Sequence, residues 1–196
     1  MNYLAHTALA QPNLHSLVGN LLGDFCKGVD LQAQPKAILD GLANHRAVDK
    51  FTDQHSELRQ HRLTFSPQRR RFAGIALDVL FDHLLIKHWP RFYHTSFVSY
   101  KQQLYRDLAT AEHLMPEQMR ITMRQVRQQD WLASYQHLPT VGHALDNIAK
   151  RLRFANAFSG MINEIMPRYD KLERTFLEFY PQLQQHVSSI ELEALR

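Results

Sequence analysis

Residues 66–89 read SPQRRRFAGIALDVLFDHLLIKHW. Ser66 followed by Pro67 is a helix start signal: the serine oxygen accepts from first-turn amides, and proline at the first helical position forfeits no hydrogen bond. From Ile75 to Ile86 almost every residue is apolar, which predicts a helix buried on all sides, too short and too interrupted to span a membrane. Pro90 is expected to end it. The interruptions are Asp78, Asp82 and His83. Asp78 and Asp82 stand four apart, so both carboxylates leave one face, a turn apart, where like charges repel. Burying them is unfavourable without a compensating cation, and a metal ion beside an imidazole is the simplest one.

Working outward, the chain reads as helical throughout, because glycines are few and β-branched alternation is rare. A short helix is expected over Tyr3 to Ala10, stopped by Pro12, and a second from Leu14 to Phe25, closed at Lys27-Gly28. A long helix should run from Pro35 through Leu58. After the central helix, amphipathic stretches cover Phe97 to Leu108 and Pro116 to Val126, the latter with a core-type stripe of Met115, Met119 and Met123. Thr140 is placed as the cap of a helix over Val141 to Phe154. The last helix starts near Pro167 or Arg168, with Pro181 kinking or dividing it. No repeat or linker divides residues 1–196, so the expectation is one all-α domain, a helical bundle.

Polar residues intrude on these apolar faces in a pattern. His6 lies in YLAHTAL. Asn20 and Asp24 are four apart in VGNLLGDF, and His45, Asp49 and Asp53 step by four in HRAVDKFTD. With Asp78, Asp82 and His83, several helices each bring a carboxylate, usually with a histidine close by, which is how bundle metal sites are assembled. The donor set is oxygen and imidazole without thiolate, suited to Mn²⁺, Fe²⁺ or Mg²⁺. Plain structural readings stand beside this one. A single histidine on an apolar face is more often a hydrogen-bonded core residue, Asp53 can pair with a surface cation, and Arg46 can neutralise Asp49.

A composition of 44% apolar and 21% charged residues is that of a soluble globular protein. The N-terminal stretch carries no basic and long apolar leader pattern, so a cytoplasmic location is expected. The single cysteine, Cys26, excludes an intrachain disulfide, and a catalytic thiol is disfavoured. Net charge is +4, with basic clusters at Arg69-Arg70-Arg71, at Arg120, Arg124 and Arg127, and at Lys150, Arg151 and Arg153, which suit an acidic partner or a solvated face. The phosphate-binding glycine motifs, the GxSxG elbow and HExxH are absent.

Five segments, MNYLAHTALA, GNLLGDFCKG, HRAVDKFTD, LDVLFDHLL and FLEFYPQL, together resemble bacterial acyl carrier protein phosphodiesterases from the first residue almost to the last. The resemblance implies hydrolysis of the phosphodiester joining 4′-phosphopantetheine to a serine of holo-acyl carrier protein. Its implied cofactor is a divalent cation, typically Mn²⁺, and its implied partner an acidic carrier protein, with no nucleic acid and no membrane. That family looks like an unorthodox relative of the HD-domain phosphohydrolases, so an HD-domain-like bundle is expected. This chain lacks a contiguous His-Asp doublet, and its nearest equivalents are Asp82-His83 in reversed order and His45 four before Asp49. Asp24 is the carboxylate that the resemblance marks as essential, either as bridging ligand or as base.

The expected site therefore has Asp24 and Asp78 as catalytic groups. Its candidate metal ligands are His6, Asp24, His45, Asp49, Asp78, Asp82 and His83, with Asn20, Arg46 and Lys50 toward the substrate. Two rivals remain: an HD-type nucleotide phosphohydrolase, and a non-catalytic helical module in which arginines neutralise Asp78 and Asp82.

Overall fold

The central helix is where the sequence puts it, but it starts later. In the computed structural model, which describes residues 1–152 and 154–193, α5 spans Ala73–Lys87. Arg153 of the third basic cluster lies outside the described residues. Ser66 does not cap α5, because its hydroxyl and amide are both taken by Glu164, at 2.6 and 2.9 Å. The chain then passes through a 3-10 turn at Arg70–Phe72, whose Phe72 ring stacks on Phe158. Pro90 does not terminate α5 either: it sits in the first turn of a new short helix, α6, Trp89–Phe92, where its missing N–H is harmless.

Around α5 are α1 (Tyr3–Ala8), α2 (Leu14–Leu22), α3 (Lys36–Gln54), α4 (Ser56–Leu63), α7 (Phe97–Thr110), α8 (Glu117–Gln128), α9 (Trp131–Ser134), α10 (Leu138–Arg151), α11 (Ile162–Ile165) and α12 (Tyr169–Ile190). Among the described residues there is no strand, and the all-α expectation holds. The long helix expected from Pro35 breaks at His55, whose ring meets Phe179 edge-on at 5.0 Å, and resumes as α4. Thr140 caps nothing: α10 begins at Leu138 with Pro139 in its first turn. Nor does Pro181 divide α12, which continues with Phe176, Phe179, Tyr180 and Leu183 fully buried, tertiary packing outweighing a lost backbone bond. Met115, Met119 and Met123 are core residues.

Helices α1, α10 and α12 pack on α5, while α2 lies along α3. The α2–α3 contact is made backbone to backbone. A Cβ on Gly19 would stand 2.3 Å from the Ile38 carbonyl oxygen and 2.8 Å from the Gly41 Cα, so only glycine permits this approach. The end of α2 is thereby held against the middle of α3, where His45 and Asp49 lie. No described helix is long and apolar enough to cross a membrane.

Candidate metal centre

His6 of α1 and His45 of α3 bring their rings face to face, with centroids 3.8 Å apart and planes 16° from parallel. Both Nε2 atoms reach Asp49, one turn beyond His45 on α3: His6 lies 3.2 Å from Oδ1 and His45 lies 3.1 Å from Oδ2. Ligand atoms of His6, His45 and Asp49 all fall within 4.8 Å of one another, a grouping that can hold a metal ion. The His side chains are 1% and 6% exposed and that of Asp49 is 41% exposed, so the cluster is closed below and open on the carboxylate side.

His45 is oriented from behind. Its Nδ1 donates to the Asn20 carbonyl at 2.7 Å, which leaves Nε2 facing Asp49. Asn20 is itself fully buried, accepting from Asn44 at 2.9 Å and donating to Glu193 at 3.2 Å. Expected at the substrate, it instead supports His45. Room for the ring comes from Gly23, where α2 gives way to a 3-10 turn: a Cβ there would stand 2.1 Å from His45 Cδ2 and Nε2.

The electrostatics separate the two histidines. Burial drives the His6 pKa down to about 3, against a weaker pull from Asp49, so this ring is neutral. Burial also opposes a charge on His45, but Asp49, Asp24 and the Asn20 carbonyl outweigh it and raise its pKa. Asp49 is driven the other way: burial would raise it, yet His45 and His6 hold it well below the usual carboxylate range. Neither ring nitrogen of His6 makes a hydrogen bond of acceptable geometry, although Nε2 is close to Asp49. A buried unpartnered nitrogen costs about 1–3 kcal/mol, and a cation accepting its lone pair removes that penalty. The neutral imidazole, oriented second imidazole and anionic carboxylate fit a divalent metal.

Asp78 faces the same centre. The Met1 α-ammonium lies 3.0 Å from Asp78 Oδ1 and 3.2 Å from Asp49 Oδ1, so both carboxylates converge on one cationic nitrogen. Burial opposes the charge on that amine, while Asp78 and Asp49 raise its pKa. Asp24 lies at the rim, exposed as a residue yet crowded by protein. This desolvation raises its pKa, with the charge of nearby His45 pulling against it.

Asp82 and His83 lie outside the cluster, for a reason visible in their bonds. Asp82 is fully buried and both oxygens are used at the start of α1, accepting from the amides of Leu4 and Ala5 at 3.0 and 3.1 Å. Burial raises its pKa to about 7 despite those two donors. His83 donates from Nδ1 to the Tyr135 carbonyl at 2.7 Å and accepts at Nε2 from the Tyr169 hydroxyl at 2.9 Å, so no lone pair is spare. Asp53 pairs with Arg62 on the surface, and Cys26 Sγ donates to the Leu22 carbonyl.

Arg46 and Lys50 are exposed on α3, on either side of Asp49 in sequence. Among the described residues no arginine pairs with Asp78 or Asp82, the pairing on which the non-catalytic rival depends, and none pairs with Asp49. Two basic clusters are partly engaged in structure: Arg124 and Arg127 share Glu112, and Arg69 binds Glu164 and the carbonyls of Ala157 and Ser159. Sequence reasoning missed Gly23 and the Met1 amine. A glycine at a helix end reads as punctuation, and only the position of the His45 ring reveals its second use.

The family model described as acyl carrier protein phosphodiesterase matches residues 1–183. Curated relatives of that name include one from Serratia proteamaculans, 35% identical over 98% of this chain and 100% of its own length. One from Klebsiella pneumoniae is 33% identical with the same coverage. One from Escherichia coli is 32% identical over 96% of this chain and 98% of its own. No solved structure matches the chain.

Proposed function

Because this chain belongs to the acyl carrier protein phosphodiesterase family, we propose that the His6–His45–Asp49 cluster is the centre at which it converts holo- to apo-acyl carrier protein. The bond broken is the phosphodiester between the carrier serine and 4′-phosphopantetheine, with water supplying the new oxygen on phosphorus. The observation that carries this reading is His6: a neutral, buried imidazole with no hydrogen-bond partner, beside an oriented second imidazole and a carboxylate.

His6, His45 and Asp49 hold the cation in this reading, with Asp78 facing them, and the donor set favours Mn²⁺, Fe²⁺ or Mg²⁺ over thiolate-bound metals. Bound there, such an ion polarises a phosphoryl oxygen and acidifies a water molecule. The chain's own residues do the rest. Asn20 keeps His45 in the tautomer whose Nε2 faces the centre. Asp24, at the rim with a raised pKa, takes a proton from the attacking water and returns it to the departing serine oxygen. Arg46 and Lys50 draw the phosphate and the acidic carrier toward the open, carboxylate side by charge complementarity.

Incubation with holo-acyl carrier protein and Mn²⁺, followed by mass measurement of the carrier, is the test. Loss of the phosphopantetheine mass, abolished by exhaustive chelation and restored by Mn²⁺, is the expected result. An unchanged carrier, or undiminished cleavage by metal-free protein, would refute the proposal.

A further inference from the structure

A cavity of about 270 Å³ lies between the start of α1 and helices α9 and α10. Its wall includes Asn2 and Tyr3, which directly follow the Met1 nitrogen that touches Asp49 and Asp78. Two residues of chain reach no further than ~7 Å. Tyr3 also stacks on Phe25, the neighbour of Asp24, at 6.2 Å between centroids. Asn2 and Tyr3 thus link one wall of the cavity to the His6–His45–Asp49 cluster.

Its lining has two characters. Tyr3, Trp131 and Ile148 give it aromatic and aliphatic walls, while Asn2, Asn147 and Arg151 bring amides and a guanidinium. The guanidinium carbon of Arg151 lies 5.7 Å from the centre of the Trp131 ring. A plain alkyl chain would desolvate these amides without pairing them, at about 1–3 kcal/mol each. A bare anion would leave the aromatic walls unused. A slender ligand that carries both amides and apolar carbon satisfies both kinds of wall.

We propose that this cavity is the subsite for the pantetheine arm of the carrier's prosthetic group, with its dimethyl segment, which adjoins the phosphate, against Tyr3 at the near wall and the amide-bearing remainder along Asn147, Ile148 and Trp131. The inference rests on the phosphodiesterase reading, since it takes the phosphate at one end of the arm to lie at the His6–His45–Asp49 cluster. The volume is near the lower end for ligand sites, ~300 Å³, which suits a single slender arm. In this arrangement the arm determines specificity, selecting a pantetheinylated serine over a serine bearing any short phosphoryl group.

Pantetheine, the arm without its phosphate, is the probe, titrated into the full chain while tryptophan fluorescence is followed. The protein has two tryptophans, and Trp89 is buried outside the cavity. The expected result is a saturable change that disappears in Trp131→Phe. Ala144→Leu, which intrudes on the cavity, should weaken pantetheine binding about tenfold and raise KM for holo-acyl carrier protein more than it lowers kcat. Asn147→Ala, which adds no bulk, should shift the same two quantities in the same direction and serves if Ala144→Leu fails to fold. No saturable signal, or unaltered affinity in folded variants, would overturn the subsite. Cleavage of holo-acyl carrier protein by the wild type is scored separately: its absence refutes the phosphodiesterase reading, whereas cleavage without pantetheine binding refutes the subsite alone.

Discussion

The imidazoles of His6 and His45 lie stacked 3.8 Å apart, and their Nε2 atoms address the two different oxygens of one carboxylate, Asp49. Two imidazolium rings so close would repel strongly. The structure resolves this by asymmetry: the buried His6 stays neutral, while His45, backed by the Asn20 carbonyl and closer to Asp24, carries the proton when one is present. A divalent ion held by His6, His45 and Asp49 would take the place of that proton.

The neutrality of His6 makes the metal-free protein sensitive to acid. Its folded pKa of about 3 lies below the unfolded 6.5, so between those values the unfolded chain binds more protons and stability falls as pH falls. From pH 6.5 to 5 the loss from this group is about 2 kcal/mol. Urea unfolding of wild type and His6→Gln at pH 7 and pH 5 isolates it. The wild type should lose more stability on acidification than the variant, and equal slopes would refute a neutral, buried His6.

Gly23→Ala should push the His45 ring away from Asp49, because the new methyl group would occupy its place. We expect Mn²⁺ affinity to fall about 10–100-fold, the usual cost of disturbing the support of a ligand. Calorimetric titration of the folded variant is the measurement. Undiminished affinity would mean that His45 is not a ligand.

Asp24→Asn keeps the shape of the side chain but cannot exchange a proton at the rim. Turnover of holo-acyl carrier protein should drop about 10²–10⁴-fold, with the melting temperature not lowered, because burial already disfavours the charge that the substitution removes. Near-normal turnover would remove Asp24 from the mechanism.

Asp82→Asn separates a structural carboxylate from a catalytic one. One α1 amide would then face an NH₂ group in a dry site, and stability should fall by about 1–3 kcal/mol. Below its lowered melting temperature the variant should still bind Mn²⁺ in the wild-type stoichiometry. Loss of one bound ion from a variant of unchanged stability would make Asp82 a ligand after all.

The sequence alone determined that this protein is helical, that the apolar run from Ile75 to Ile86 forms a buried helix, and that carboxylates and histidines stand at four-residue steps on apolar faces. These properties are local: a helical period fixes which side chains share a face, whatever the helix packs against. It also determined the family, through five motifs spread along the chain. Which of the candidates meet was decided by tertiary structure. His6 reaches Asp49 only because α1 packs on α2 and α5, and Asp82 is diverted to the amides of α1, 77 and 78 residues away in sequence. Asp78 and Asp82 are indistinguishable by spacing, and one faces the centre while the other caps a helix, since neighbouring positions on one face meet different partners once another helix crosses them. His83 looks like a ligand by composition and is not placed as one, its two nitrogens being satisfied by Tyr135 in the α9–α10 connection and Tyr169 of α12. Convergence depends on where helices cross, and that is set by backbone contacts such as Gly19 on Gly41, which no periodicity encodes.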